Sequence, residues 1–283
     1  MHPISIDRSA LLILFTLAVL LITPSITVLL LRRTGWVREN YRGDYIPAMF
    51  GLSIVVSSTL LLTIATGKSP HVRDTVLNWI LLIVCFGTLG FIDDRWGDKR
   101  IKGIKGHLRA AARDHRITSG LIKAIGGLVA GFVVGYMVYP IHLAYAVPAG
   151  LIIALSANAL NLFDLRPGRA GAVFLVCSTI LLASALSSKT PQSGELLLVF
   201  VALPALPAWI LDSRAKVMLG DTGSNVLGAA LGLAVVESRS IALYVATLVL
   251  LIGLHVVAER RSITEIIANN KALNALDKLT GRR

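Results

Sequence analysis

Apolar runs of about twenty residues, broken by short polar stretches, recur along the chain and predict helices long enough to cross a membrane. They cover roughly Ser9–Leu31, Ile46–Thr66, Val76–Ile92, Gly120–Val138, Leu143–Leu160, Ala170–Leu186, Leu196–Leu211, Ser224–Val236 and Ile241–Val257. The run from Ser224 is short and rich in small residues. Gly228, Ala229, Ala230 and Gly232 suit close helix contact, so it is expected inside the bundle. No basic stretch precedes the first run and no small-residue cleavage site follows it, so it reads as a retained anchor. The expected fold class is all-α: a polytopic membrane bundle of about nine transmembrane helices. It forms one domain over residues 1–257, with an amphipathic tail of the same domain over 258–283.

Composition agrees with that solvent. Of 283 residues, 55% are hydrophobic and only 16% charged, and the mean hydropathy is +0.73, too apolar for a water-soluble domain of this size. Cys85 and Cys177 both fall inside apolar runs and read as small buried hydrophobes, with no disulfide or metal role.

The positive charges choose an orientation. Taking residues 32–45, 93–118, 161–169, 212–223 and 258–283 as one side, that side holds 22 of the 28 Lys and Arg. This asymmetry expects it in the cytoplasm, with the N-terminus outside and the C-terminus inside. A basic face beside anionic headgroups accounts for the net charge of +12, and no nucleic-acid partner is needed. Twelve of the 16 Asp and Glu share that side. Carboxylates contribute little to topology, so their gathering at helix ends asks for another cause.

Asp93 and Asp94 are adjacent at the end of a run. Neighbours on a helix diverge by about 100°, so the two cannot simply chelate one ion. One would face a metal or phosphate and the other a lysine or a proton to be removed; two solvated end charges are the plainer account. Gly220-Asp221-Thr222-Gly223-Ser224 opens a helix, where glycines and backbone N–H groups suit an anion. An Asp there can hold Mg²⁺ against a diphosphate, or the segment is an ordinary capped start. Asn158, Asn161 and Asp164 recur every three residues, nearly on one stripe, and either lock helices together or bind a ligand. Lys123, just inside the next run, either snorkels to the interface or neutralises a phosphate.

Three ordered motifs carry a resemblance. Gly90-Phe91-Ile92-Asp93-Asp94, Asn158-Ala159-Leu160-Asn161-Leu162-Phe163-Asp164 and Met218-Leu219-Gly220-Asp221-Thr222-Gly223-Ser224 resemble the polyprenyl-phosphate N-acetylhexosamine-1-phosphate transferases. Asn40-Tyr41-Arg42-Gly43, leading to Ile46-Pro47 and Gly51, is similar to that family's first cytoplasmic loop. The resemblance implies Mg²⁺ as cofactor, with Asp221 its main ligand and Asp93 and Asp94 the acidic pair beside metal and phosphates. Asp94 is counted as a second metal ligand, and one of the pair as the base that deprotonates the lipid phosphate. Asn158, Asn161 and Asp164 are implied to line the nucleotide side, with Lys123 and Arg42 as further substrate contacts. The implied reaction joins a UDP-sugar to a polyprenyl phosphate, releases UMP and serves cell-envelope glycan synthesis in a bacterial cytoplasmic membrane. The partners are these substrates and the membrane, with a homodimer left open.

The chain departs from the family after Asp164. Leu165-Arg166-Pro167-Gly168-Arg169-Ala170 stands where Gly-Leu-Asp-Gly-Leu-Ala is common, and no histidine-rich stretch follows; His255 stands by itself and reads as structural. A catalytically lapsed homologue that binds lipid phosphate or an envelope partner is therefore one alternative. A secondary transporter is another, and it predicts ionisable groups near the midplane rather than at one edge. In the tail, Ser262 and Glu265 fit a capping box ahead of Ile266, Ile267, Leu273, Leu276 and Leu279. An amphipathic interfacial helix is expected there, with Lys271, Lys278, Arg282 and Arg283 toward headgroups; a rim for the active site fits the pattern equally well.

Overall fold

The computed structural model describes residues 8–66, 70–97, 118–188 and 192–281. Each of the nine apolar runs holds a helix, although the second begins only at Gly51, because Ile46 and Pro47 lie in a strand. In chain order they are α1 (Arg8–Arg33), α2 (Gly51–Ala65), α3 (Pro70–Trp96), α4 (Ser119–Val138), α5 (Leu143–Phe163), α6 (Arg169–Ser187), α8 (Val199–Ser213) preceded by the single turn α7 (Ser193–Leu196), α9 (Gly220–Glu237) and α10 (Ile241–Arg260). Among the described residues, seven helices are long and apolar enough to cross a membrane. The two runs outside that set are α2, at 15 residues, and α9, at 18. The protein is an all-α integral membrane bundle. Most of the basic segment between Arg95 and Arg116 lies outside the described residues.

α9 is the hub. Every residue from Thr222 to Glu237 is buried, and the helix packs chiefly on α5 and α3, then on α2 and α6. Gly228 and Gly232, four apart on one face, make the α5 contact close. A Cβ on Gly228 would lie 2.2 Å from the Ser156 carbonyl oxygen, and one on Gly232 would lie 2.8 Å from Ile153 Cα. Where lipid tails are as apolar as leucine, such backbone-level contact supplies the dispersion energy that holds helices together. At the periphery, α1 and α10 leave Leu21 and Leu250 exposed, as helices facing lipid do.

The expected loop at 32–45 is partly ordered. It holds a small antiparallel hairpin, β1 (Val37–Glu39) and β2 (Tyr45–Pro47). Strands of three residues are too short for alternation to reveal. In the turn, Asn40 Oδ1 accepts the N–H groups of Arg42 (2.8 Å) and Asp44 (3.0 Å). The chain leaving β2 then pairs with the segment ahead of α9. Met218 N–H donates to Pro47 O (2.8 Å), Phe50 N–H to Met218 O (2.9 Å) and Gly51 N–H to Leu219 O (2.9 Å). The hairpin is thus a platform for the turn that carries Asp221.

The tail differs from a single helix. It forms α11 (Ile263–Asn269) and α12 (Lys271–Thr280), broken at Asn270. Ser262 makes no side-chain cap bond, so the expected capping box is absent. Asn270 is the working cap: its Oδ1 accepts from the N–H groups of Ala272 and Leu273, both at 3.1 Å.

Candidate active site

Alternating traverses bring the polar motifs to one edge. Asp93 and Asp94 end α3, Lys123 lies one turn into α4, Asn161 and Asp164 end α5, and Asp221 starts α9. The ionisable groups therefore sit at helix ends rather than at mid-span, which speaks against the transporter reading.

A cation between two carboxylates is the centre. Lys123 Nζ lies 2.6 Å from Asp93 Oδ2 and also donates to Asp221 Oδ2. Asp93 Oδ1 accepts from Ser119 Oγ at 2.7 Å. Ser119 and Lys123 are four apart and so share a face of α4. Asp221 Oδ2 further accepts from Asn161 Nδ2 at 3.2 Å, and Asn161 Oδ1 accepts from Ser224 Oγ at 3.2 Å. Two carboxylates this close would repel without the ammonium between them.

Asp94 looks the other way, as adjacency on a helix requires. Its Oδ1 accepts the Asp221 N–H at 3.1 Å, and its Oδ2 accepts the Thr222 N–H at 2.8 Å and the Thr222 hydroxyl at 2.7 Å. A side chain of α3 thereby caps the N-terminus of α9, where orphan N–H groups and the helix dipole favour negative charge. Arg38 of β1 donates to the Asp94 carbonyl oxygen. Asp94, which the resemblance implies as a second metal ligand, has both carboxylate oxygens on the α9 cap in this structure.

The stripe on α5 also divides. Three residues turn a helix by about 300°, so each step in the series falls back by about 60°. Asn161 faces Asp221, and Asp164 accepts the Gly220 N–H. Asn158 instead meets His255 of α10, Nδ2 to Nε2 at 2.9 Å, while His255 Nδ1 bonds Leu251 O at 2.7 Å. Burial, then the neighbouring Asp212, Asp221 and Asp94 carboxylates, push the Asp164 carboxyl well above the usual carboxylate range. Arg42 is exposed on the hairpin turn; its Nε donates to the Tyr41 hydroxyl at 2.8 Å, and its guanidinium lies 5.0 Å from the centre of that ring.

Sequence reasoning gave no role to Ser119, Arg38, Thr222 or Asp212. The clearest omission is Asp212, buried at 4% exposure. Its Oδ2 accepts the Gly168 N–H at 2.7 Å and its Oδ1 the Leu219 N–H at 3.3 Å. One carboxylate staples the turn after α5 to the turn before α9. Its only sequence signal was an acid at a span end.

Gly90 sets the distance between α3 and α9. A Cβ there would lie 2.3 Å from the Asp221 carbonyl oxygen, a backbone atom that cannot swing aside. Gly90→Ala is expected to destabilise the bundle by about 1–3 kcal/mol and to displace the Asp221 turn, read as a lower Tm in detergent. Gly253→Ala, which meets nothing within 4 Å, is the neutral comparison.

The donor set fits Mg²⁺. That ion prefers one or two carboxylates completed by phosphate oxygens and water, and Asp93 and Asp221 converge on one cationic atom. No group of three or more His, Cys, Asp or Glu that could hold a metal unaided occurs among the described residues.

The sequence pattern of the family described as Glycosyl transferase family 4 matches residues 76–239, which include the Asp93, Lys123, Asn161, Asp164 and Asp221 positions. The chain is also similar to proteins named phospho-N-acetylmuramoyl-pentapeptide-transferase. One from Nautilia profundicola is 30% identical over 224 residues, covering 69% of this chain and 60% of the relative. One from Wolbachia pipientis wMel is 28% identical over 207 residues, covering 66% and 59%. One from Leptospira biflexa is 27% identical over 234 residues, again covering 66% and 59%. The chain spans about three fifths of the length of these relatives, at an identity that marks it as divergent. A pattern match over more than half the chain, enclosing the residues that the fold brings together, makes this protein a member of glycosyl transferase family 4.

Proposed function

We propose that the protein transfers a sugar-1-phosphate, with N-acetylhexosamine as the sugar class, from a UDP-sugar to a polyprenyl phosphate in envelope glycan synthesis. The observation that supports this best is the Asp93–Lys123–Asp221 bridge at one membrane edge, within the region matched by the family. An oxygen of the lipid phosphate attacks the β-phosphorus of the UDP-sugar, the bond from that phosphorus to the bridging oxygen breaks, and UMP leaves. The product is a lipid-linked diphospho-sugar. The cytoplasmic side of a bacterial membrane is the proposed location of the site, a reading supported by the 22 of 28 Lys and Arg on that side.

The protein's own task is to bring two anions together, so positioning and charge neutralisation do most of the work. Asp221 and Asp93 would hold Mg²⁺. When bound, the ion offsets the negative charge of the substrates and polarises the transferring phosphoryl group. Lys123, released in part from the carboxylates, neutralises a phosphate. Asp93, rather than Asp94, is the member of the pair left to face metal and phosphate, because Asp94 is committed to α9. Asn161 and Asp164 line the nucleotide side.

The test is UMP release by the purified protein given undecaprenyl phosphate, Mg²⁺ and a panel of UDP-N-acetylhexosamines. Lipid-dependent UMP from one donor, abolished by chelator, is the expected result. Silence across the panel from folded protein would sink the uridine reading and favour another nucleotide or a binding role, and would point to Arg166 and Pro167.

A further inference from the structure

α12 is amphipathic in the sense opposite to that of a water-facing helix. Its protein-facing side is polar. Asp277 makes a bidentate pair with Arg169, Nε to Oδ1 at 2.6 Å and Nη2 to Oδ2 at 3.0 Å, and the two side chains are only 5% and 4% exposed. Arg169 Nη1 also donates to Thr264 Oγ1 at 3.2 Å, tying in α11. The side turned farthest from Asp277 carries Leu276 and Leu279, exposed by 58% and 82%, while Leu273, 42% exposed, lies nearer the Asp277 side. A run of exposed leucines is a liability in water and ordinary in lipid.

Two anchors fix the level of this face. Arg169 is the first residue of α6, a helix of membrane-crossing length, and the chain reaching Lys271 leaves the α10 span only at Arg260. The leucines therefore stand where two spans enter the hydrocarbon, at the same edge as the exposed Leu165, Val256 and Val257. Arg260, Arg261, Lys271 and Lys278 are exposed nearby, against Glu259 and Glu265. Apolar continuity with the lipid-facing helices and an excess of cations at headgroup level favour a membrane over a second copy of the chain.

We propose that α12 is an interfacial membrane helix, its leucine face in lipid and its polar face clamped through Asp277 and Arg169 onto the turn that follows Asp164. The inference is independent of the transferase reading.

The test places nitroxide labels at Leu276→Cys, Leu279→Cys and Lys278→Cys, one at a time, with Cys85 and Cys177 replaced by alanine. The protein is reconstituted in phosphatidylethanolamine–phosphatidylglycerol vesicles. Positions 276 and 279 are expected to be several-fold more accessible to oxygen than to a water-soluble nickel chelate, and position 278 the reverse. Nickel access at all three would overturn the proposal by putting the leucines in water. Access by neither reagent at 276 and 279, with spin–spin broadening, would overturn it in favour of a second copy. On the unaltered chain, a diazirine lipid with its reactive group just below the headgroup is expected to cross-link residues 272–279; absence of cross-links there, alongside cross-links to α10, would also overturn it.

Discussion

If the proposed transfer is right, Asp221→Asn is expected to lower lipid-dependent UMP release by about 10²–10³-fold, the size of loss seen when one preorganised electrostatic group is removed from an active site, while leaving Tm nearly unchanged. The substitution keeps the volume of the side chain at the mouth of α9 and can still accept from Asn161. It removes the charge that Lys123 shares between two carboxylates. The ammonium then has one anionic partner, and a divalent cation held as proposed by Asp93 and Asp221 would lose half of its carboxylate set. The measurement is turnover as a function of Mg²⁺ concentration. Near-normal turnover at saturating Mg²⁺ would remove Asp221 from the metal site and leave it a spacer.

Asp94→Ala, one residue from Asp93, is expected to act on a different quantity. The carboxylate satisfies two N–H groups and one hydroxyl at the start of α9. Deleting it strands buried donors at a positive helix end, at a cost of about 2–4 kcal/mol. The readout is a Tm lowered by several degrees in detergent, with turnover falling because the Asp221 turn loosens. Asp93→Ala should show the reverse pattern, a lost rate with a Tm close to that of the unaltered protein, since Asp93 faces Lys123 and Ser119 rather than a helix end. If both variants kept their Tm and lost rate equally, the division between a capping and a reacting carboxylate would be wrong.

Helices were the legible part of this chain. Twenty-residue apolar runs leave little alternative, because a lipid environment forces the backbone to satisfy its own hydrogen bonds. The 100° rule also separated Asp93 from Asp94, which face different partners in the structure. Which of the two faced Lys123 was not legible, since that depends on the rotation of α3 against α4. The same gap explains Asn158: spacing drew it with Asn161 and Asp164, but helix rotation carries it round to His255. The hairpin 37–47 and the staple at Asp212 have no periodic signature. Their bonds join residues far apart in sequence, such as Asp212 to Gly168, and become visible only when the segments are side by side.

The burial of α9 bears on how the bundle is made. With acidic residues at both ends, only 18 residues and glycines throughout its middle, this helix would be a poor candidate for lateral release into lipid by itself. It needs a groove already waiting, and α2, α3, α5 and α6, the helices that sheathe it, all precede it in the chain. The order of synthesis therefore suits the order of assembly: the walls are in place before the segment that carries Asp221 emerges. Insertion of α9 is the step that brings Asp221 to Lys123, so a protein halted before it would hold a membrane-embedded shell without the Asp93–Lys123–Asp221 bridge.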